Sequence, residues 1–186
     1  MTITSALLAF SAAAALLTVT PGLDTALVLR TALVEGARKA FAAGLGVSMG
    51  VLAWGLIASL GTGAVSAISP ALYGYIQLAG AAYLIWLGGG MLRDALRGGA
   101  GLEVPTGAQT QGRNWFARGL LTNLLNPKVG LFYVSFLPQF TPDTVNATAF
   151  GMLLAGIHVA MGMAWFTALI LGTRTLAPKL TGPLVK

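Results

Sequence analysis

A bundle of membrane-embedded helices is the fold class this sequence predicts, and three observations carry the prediction. Of the 186 residues, 56% are apolar and only 9% are charged, against roughly a quarter charged in ordinary soluble domains. The mean hydropathy is +0.80, more apolar surface than a soluble chain of this length can hide. The apolar residues also gather into five long runs, at 6–29, 41–62, 71–92, 119–137 and 147–171. Each run is near the roughly 20 residues that carry a helix across about 30 Å of hydrocarbon. The runs are apolar on every face and rich in Ala, Leu and Gly. They lack the alternation of a membrane barrel strand, and helices satisfy their own backbone in lipid.

The charges set a topology. Arg30, Arg38 and Lys39 follow the first run, and Arg93, Arg97, Arg113 and Arg118 separate the third from the fourth. Arg174, Lys179 and Lys186 follow the fifth, whereas the loops after the second and fourth carry only Asp143. Excess Lys/Arg marks the cytoplasmic side, so the loop 93–118 and the C-terminal tail are expected inside and the N-terminus outside. The net charge of +6 thus reports orientation in a membrane and not a nucleic-acid partner. Tyr73, Tyr75, Phe136 and Phe140 fall near the expected outer ends, and Trp115, Phe116 and Trp165 toward the inner ends, as interfacial belts do. No Lys or Arg precedes the first run, so it lacks the basic start of a signal peptide. The stretch 98–112 is rich in Gly, Thr and Gln and reads as a flexible cytoplasmic loop. The chain 1–186 is one transmembrane domain that this loop divides into two halves.

Two runs are interrupted. In the first, Thr20-Pro21-Gly22-Leu23-Asp24 places a proline where it removes a backbone donor and clashes with the preceding turn. The helix should break there and leave carbonyls and amides free. Asp24 follows at once. A carboxylate within a span is costly and usually functional; the alternative is a kink, with Asp24 reaching the cytoplasmic interface near Arg30. In the fourth run, Asn123-Leu-Leu-Asn126-Pro127-Lys128 breaks a helix beside two amides that share one face. Lys128 near mid-span needs a partner or water, unless it snorkels along its stem.

The two interruptions correspond. Phe10 precedes Pro21 by eleven residues, as Phe116 precedes Pro127. Paired broken helices at equivalent positions are the sequence sign of an internal repeat with a midplane site. With three spans to each half, the second copy enters from the opposite face and the repeat is inverted. His158, the one histidine, is a candidate proton relay, although a lone intramembrane histidine more often bonds a neighbouring helix. Gln77 and Tyr83 are polar handles in the third run. Gly46-x-x-x-Gly50 permits close helix packing, within or between subunits, and Trp54 reads as packing. No hydrolase triad, phosphate loop or zinc spacing is present. With no cysteine and few intramembrane ionisable groups, catalysis, a bound metal and a cofactor are not expected.

These motifs carry a resemblance. T-P-G-x-D at Thr20 to Asp24, G-A-A-Y-L at Gly80 to Leu84, N-L-L-N-P-K-V-G-L-F at Asn123 to Phe132 and F-L-P-Q-F at Phe136 to Phe140 resemble the LysE/RhtB family of bacterial amino-acid exporters. The resemblance runs from the first span to the fifth. It implies six helices in two inverted three-helix halves, a homodimer in the inner membrane, and export of an amino acid or close derivative in exchange for protons. Pro21, Gly22 and Asp24 carry over from the first motif, and Asn126, Pro127 and Lys128 from the second; Asn123 joins them as a candidate. Leu23 stands where the family commonly has a second proline, which should soften the break. A sixth span is expected beyond Lys186. The readings that compete with an amino-acid exporter are a related divalent-cation exporter and a membrane partner subunit with no solute path.

Overall fold

A computed structural model describes residues 1–68 and 114–180, with scattered positions between 74 and 93. Most of the third predicted span, with Gln77 and Tyr83, and the loop positions 94–113 lie outside the described residues. Six α-helices account for nearly all of what is described: α1 (Ile3–Val19), α2 (Leu23–Val34), α3 (Ala37–Ile68), α4 (Trp115–Leu124), α5 (Pro127–Phe136) and α6 (Ala147–Leu180). A short 3₁₀ turn, Leu137–Phe140, follows α5. No strand occurs among the described residues.

Among the described residues two helical segments are long and apolar enough to cross a bilayer, Ala37–Gly61 and Ala147–Thr173. A third candidate is the pair α1 and α2, bent by 49° at the Thr20–Gly22 interruption. The break forms with a single proline; Leu23 opens α2 without straightening it. The predicted fourth span is two ten-residue helices meeting at Asn126-Pro127, each about 15 Å long at 1.5 Å per residue. Neither half would span alone. α3 follows α2 through Gly36, whose φ of 91° lies in the left-handed region that favours glycine.

Large apolar side chains stay on the outside, among them Leu8, Leu16, Leu45, Ile57 and Leu153. In a chain of this composition they are a lipid-facing surface. Inside, two apolar clusters form. One gathers Phe10 of α1, Phe132 and Tyr133 of α5, and Phe150 and Leu154 of α6. The other gathers Leu27 and Val28 of α2, Ala43 and Val47 of α3, and Phe166 and Ile170 of α6. Phe136 and Phe140 pack against the first cluster, where Phe136 stacks on Phe132 at 5.6 Å and Phe140 meets Phe10 edge-on at 5.8 Å. Their spacing along α5 and the 3₁₀ turn gives them the face that Phe132 already buries.

Small residues let α3 lie against its neighbours. A Cβ on Gly46 would meet the Phe116 carbonyl, and one on Gly119 the Ala43 carbonyl, so α3 and α4 touch backbone to backbone. Gly50 makes room for the Asn123 side chain, 2.5 Å from where its Cβ would sit. The G-x-x-x-G pair therefore packs within the chain. Farther along, Gly55 faces Ala155 and Gly151 faces Ser59, joining α3 to α6.

Candidate functional site

The two interruptions come together. α1 ends at Val19, and Thr20 closes it with its N–H and hydroxyl on the Leu16 carbonyl. Gly22 then enters α2 with φ −166° and no side-chain cap. α4 ends near Asn123. Asn126 restarts the chain as α5, its side-chain oxygen accepting from the Lys128 N–H at 3.1 Å, with Pro127 in the first turn, where a missing N–H costs nothing.

Asp24 lies in the first turn of α2, the end of a helix that favours an anion. Its Oδ2 accepts from Asn123 Nδ2 at 2.8 Å and from Asn126 Nδ2 at 3.2 Å. Asn126 is thereby committed twice: its oxygen caps α5 and its nitrogen holds Asp24. Asp24 Oδ1 and Asn123 Oδ1 are buried with no partner among the described residues. The interfacial alternative for Asp24 does not hold, because its carboxylate turns inward onto the amides of the other broken helix.

Lys128 begins α5, the end of a helix that repels a cation. Its side chain instead crosses to the carboxyl end of α1, where Nζ donates to the carbonyls of Thr20 at 2.8 Å and Leu17 at 3.1 Å. A lysine on the last carbonyls of a helix is favourably placed for both hydrogen bonding and the dipole. Asp24 and Lys128 make no direct ion pair. The proline break frees carbonyls that compete for the ammonium, and the two asparagines already occupy the carboxylate.

Both charged groups line one cavity with Thr20, Gly22, Thr25, Ser48, Asn123, Asn126 and His158, and with apolar walls from Val47, Val51, Val159 and Phe166. The cavity offers about 50 Å³ to the centres of water-sized molecules, room for several at roughly 10–15 Å³ each. It lies between the two apolar clusters, whose members Val47, Val51, Val129 and Phe166 form part of its wall.

Pro21 and Pro127 have exposed rings and act through the backbone they interrupt. His158 is buried on α6, and its Nδ1 lies 3.0 Å from Tyr133 Oη of α5; it also reaches the cavity. Two residues that the sequence did not single out for the site support it. The Trp54 indole N–H donates to the Asn123 carbonyl at 3.3 Å, and its ring lies where a Cβ on Gly130 would come within 2.8 Å. Tyr133 is fully buried against His158. Their signal in the sequence is faint: two aromatics with polar tips inside apolar runs, a type that finds a partner when buried. Among the described residues no three of His, Cys, Asp and Glu converge as a metal site would require.

The arrangement presents a carboxyl group and an amine, each held by neutral donors or acceptors, on the two broken helices of one small cavity. The profile of the LysE type translocator family matches residues 15–186, which include every residue of that constellation. The chain is 33% identical over 171 residues to a protein named uncharacterized membrane protein YrhP of Bacillus subtilis (strain 168), covering 88% of this chain and 81% of that one. It is 36% identical over 148 residues to a threonine efflux protein of Escherichia coli (strain K12), covering 79% and 71%. A leucine efflux protein of Enterobacter sp. (strain 638) is 33% identical over 134 residues, covering 72% and 63%. No solved structure matches the chain. On the family profile and these identities, the chain belongs to the LysE type translocator family.

Proposed function

We propose that this protein exports an amino acid or close derivative from the cytoplasm in exchange for protons, through the cavity between its two broken helices. The observation that carries the reading is the placement of Asp24 and Lys128 in one buried cavity without a direct bond between them. A zwitterion has one ammonium and one carboxylate, and a site with one fixed charge of each sign can take both. Asp24 receives the ammonium or carries the exchanged proton; Lys128 takes the carboxylate; Asn123 and Asn126 hold Asp24 in place. The apolar wall of Val47, Val51 and Val159 suits a small side chain. The names of the threonine and leucine efflux relatives favour a neutral amino acid. A charge in the first turn after each break, Asp24 in α2 and Lys128 in α5, is what two copies of an inverted repeat would present to a shared midplane site. The functional unit is a homodimer in the bacterial inner membrane.

Purified protein in proteoliposomes tests this. With an acidic interior, labelled threonine or leucine should accumulate, and a protonophore should collapse the accumulation. Correctly inserted protein that moves neither compound, with or without a gradient, would end the exporter reading. Transport indifferent to the protonophore would end the coupling alone. The cytoplasmic placement of the loop between the halves is tested in this cysteine-free chain by Thr106→Cys, which should resist an impermeant thiol reagent in intact cells and react in inverted vesicles.

A further inference from the structure

The Lys128 ammonium sits where a free amine would be expected to bind. A primary ammonium carries three N–H donors and no acceptor. At the first break, the Leu17 and Thr20 carbonyls, left without helical partners by Pro21 and Gly22, accept two of them, at 3.1 and 2.8 Å. Gly22 closes the pocket from the side: its Cβ position is 3.6 Å from Nζ. Asp24 lines the same cavity, and its Oδ1 is buried without a partner among the described residues. Two carbonyls at the negative end of α1, in a cavity that Asp24 also lines, are a receptor for R–NH₃⁺ in general, and nothing in it is specific to a lysine stem.

We propose that this pocket is an ammonium receptor that Lys128 fills as a tethered ligand, and that the ammonium of the cargo enters by displacing it. The proposal deepens the exporter reading and rests on it for the identity of the cargo. It divides the two roles in time. Before cargo arrives, Lys128 satisfies the carbonyls, so the interrupted helix is not left with a buried polar end. When the cargo's ammonium takes those carbonyls and approaches Asp24 Oδ1, Lys128 is released beside the cargo's own carboxylate. An amine that lacks a carboxylate gives Lys128 no such partner, so the wild-type site disfavours simple amines while accepting amino acids. The tether thus acts as a specificity determinant for the zwitterion.

Removing the tether should leave a site that a free amine can refill. The experiment uses the full chain, purified in detergent, with Lys128→Ala. Its Tm should fall below that of the wild type. Ethylammonium chloride should recover most of the loss along a saturating curve, since a ligand that binds only the folded state raises Tm. Tetramethylammonium chloride at equal ionic strength has charge but no N–H and should recover none, and the wild type should respond to neither salt. If Lys128→Ala unfolds on extraction, extraction in ethylammonium should yield monodisperse protein where tetramethylammonium does not. Equal response to the two salts, no response to either, or a wild type that responds as the variant does would each overturn the receptor. Amine rescue requires no transport. Rescue in a protein whose wild type moves no amino acid would retire the exporter and leave the receptor; transport without rescue would do the reverse.

Discussion

At the first break the chain leaves α1 through Thr20, passes an exposed proline, and enters α2 in extended backbone with no side chain capping the new helix. At the second, Asn126 caps α5, Pro127 fills its first turn, and the Asn123 carbonyl receives both the Asn126 N–H and the Trp54 indole. The second break is also pressed against α3 through Gly46, Gly50 and Gly119. One break is therefore secured by its own neighbours in sequence and by backbone packing, while the other borrows its partners: Lys128 reaches over to cap α1, and Asn123 and Asn126 reach over to hold Asp24. A proline opens a helix in both places. What differs is who satisfies the opened groups, and that difference makes the second break the template and the first the part able to change partners.

The strongest way to break this comparison is to disturb the template. Gly119→Val puts a side chain into the Ala43 carbonyl, where backbone and not a flexible side chain must yield. Overpacking of that kind costs about 1–3 kcal/mol or more, so the monodisperse fraction after detergent extraction should collapse. Wild-type behaviour would show that α3 and α4 are not locked together.

Asp24→Asn tests the borrowed side. The amide keeps the shape but loses the charge that the Asn123 and Asn126 nitrogens are aimed at. Two charge-assisted bonds weakened together amount to about 3 kcal/mol, so export should fall roughly 100-fold while membrane insertion, followed by immunoblot of the membrane fraction, stays normal. Undiminished export across a range of pH would remove Asp24 from the site.

Trp54→Phe sharpens the account of how the second break is held. The ring against Gly130 is kept and one hydrogen bond to the Asn123 carbonyl is lost, a cost of about 1 kcal/mol. The expected sign is a few-degree loss in Tm with a raised KM for the cargo and a nearly constant maximal rate. A changed rate at constant KM would argue that Trp54 does something other than set the position of Asn123.

The smallest effect belongs to Gly22→Ala. The backbone at Gly22 is extended, a conformation open to any residue, and the new methyl group would meet Lys128 at 3.6–3.7 Å, ordinary contact. A change within about 0.5 kcal/mol is expected, read as an unaltered Tm. A large loss would mean that the first break needs glycine for a movement the resting state does not display.

Composition and run length were enough to specify membrane helices, because apolar surface on every face of a helix has no other stable solvent than lipid. The interruptions were equally legible, since a proline removes its donor wherever it sits, and Asp24 and Lys128 stood out because a charge in an apolar run has few alternatives to function. Direction of reach was not legible. Nothing local in Asn126-Pro127-Lys128 says that the lysine will prefer two carbonyls of α1 to a carboxylate, or that both asparagines will converge on one oxygen of Asp24. Those choices depend on groups about a hundred residues away in sequence. The role of Trp54 was likewise decided by a carbonyl that only the second break exposes, and the packing of Phe136 and Phe140 by a core that forms once α1 meets the 3₁₀ turn and α6. The sequence by itself determined which groups would be costly to leave unpaired. The tertiary structure decided which of them satisfy one another, because hydrogen bonds between helices are set by the distance and angle at which those helices meet.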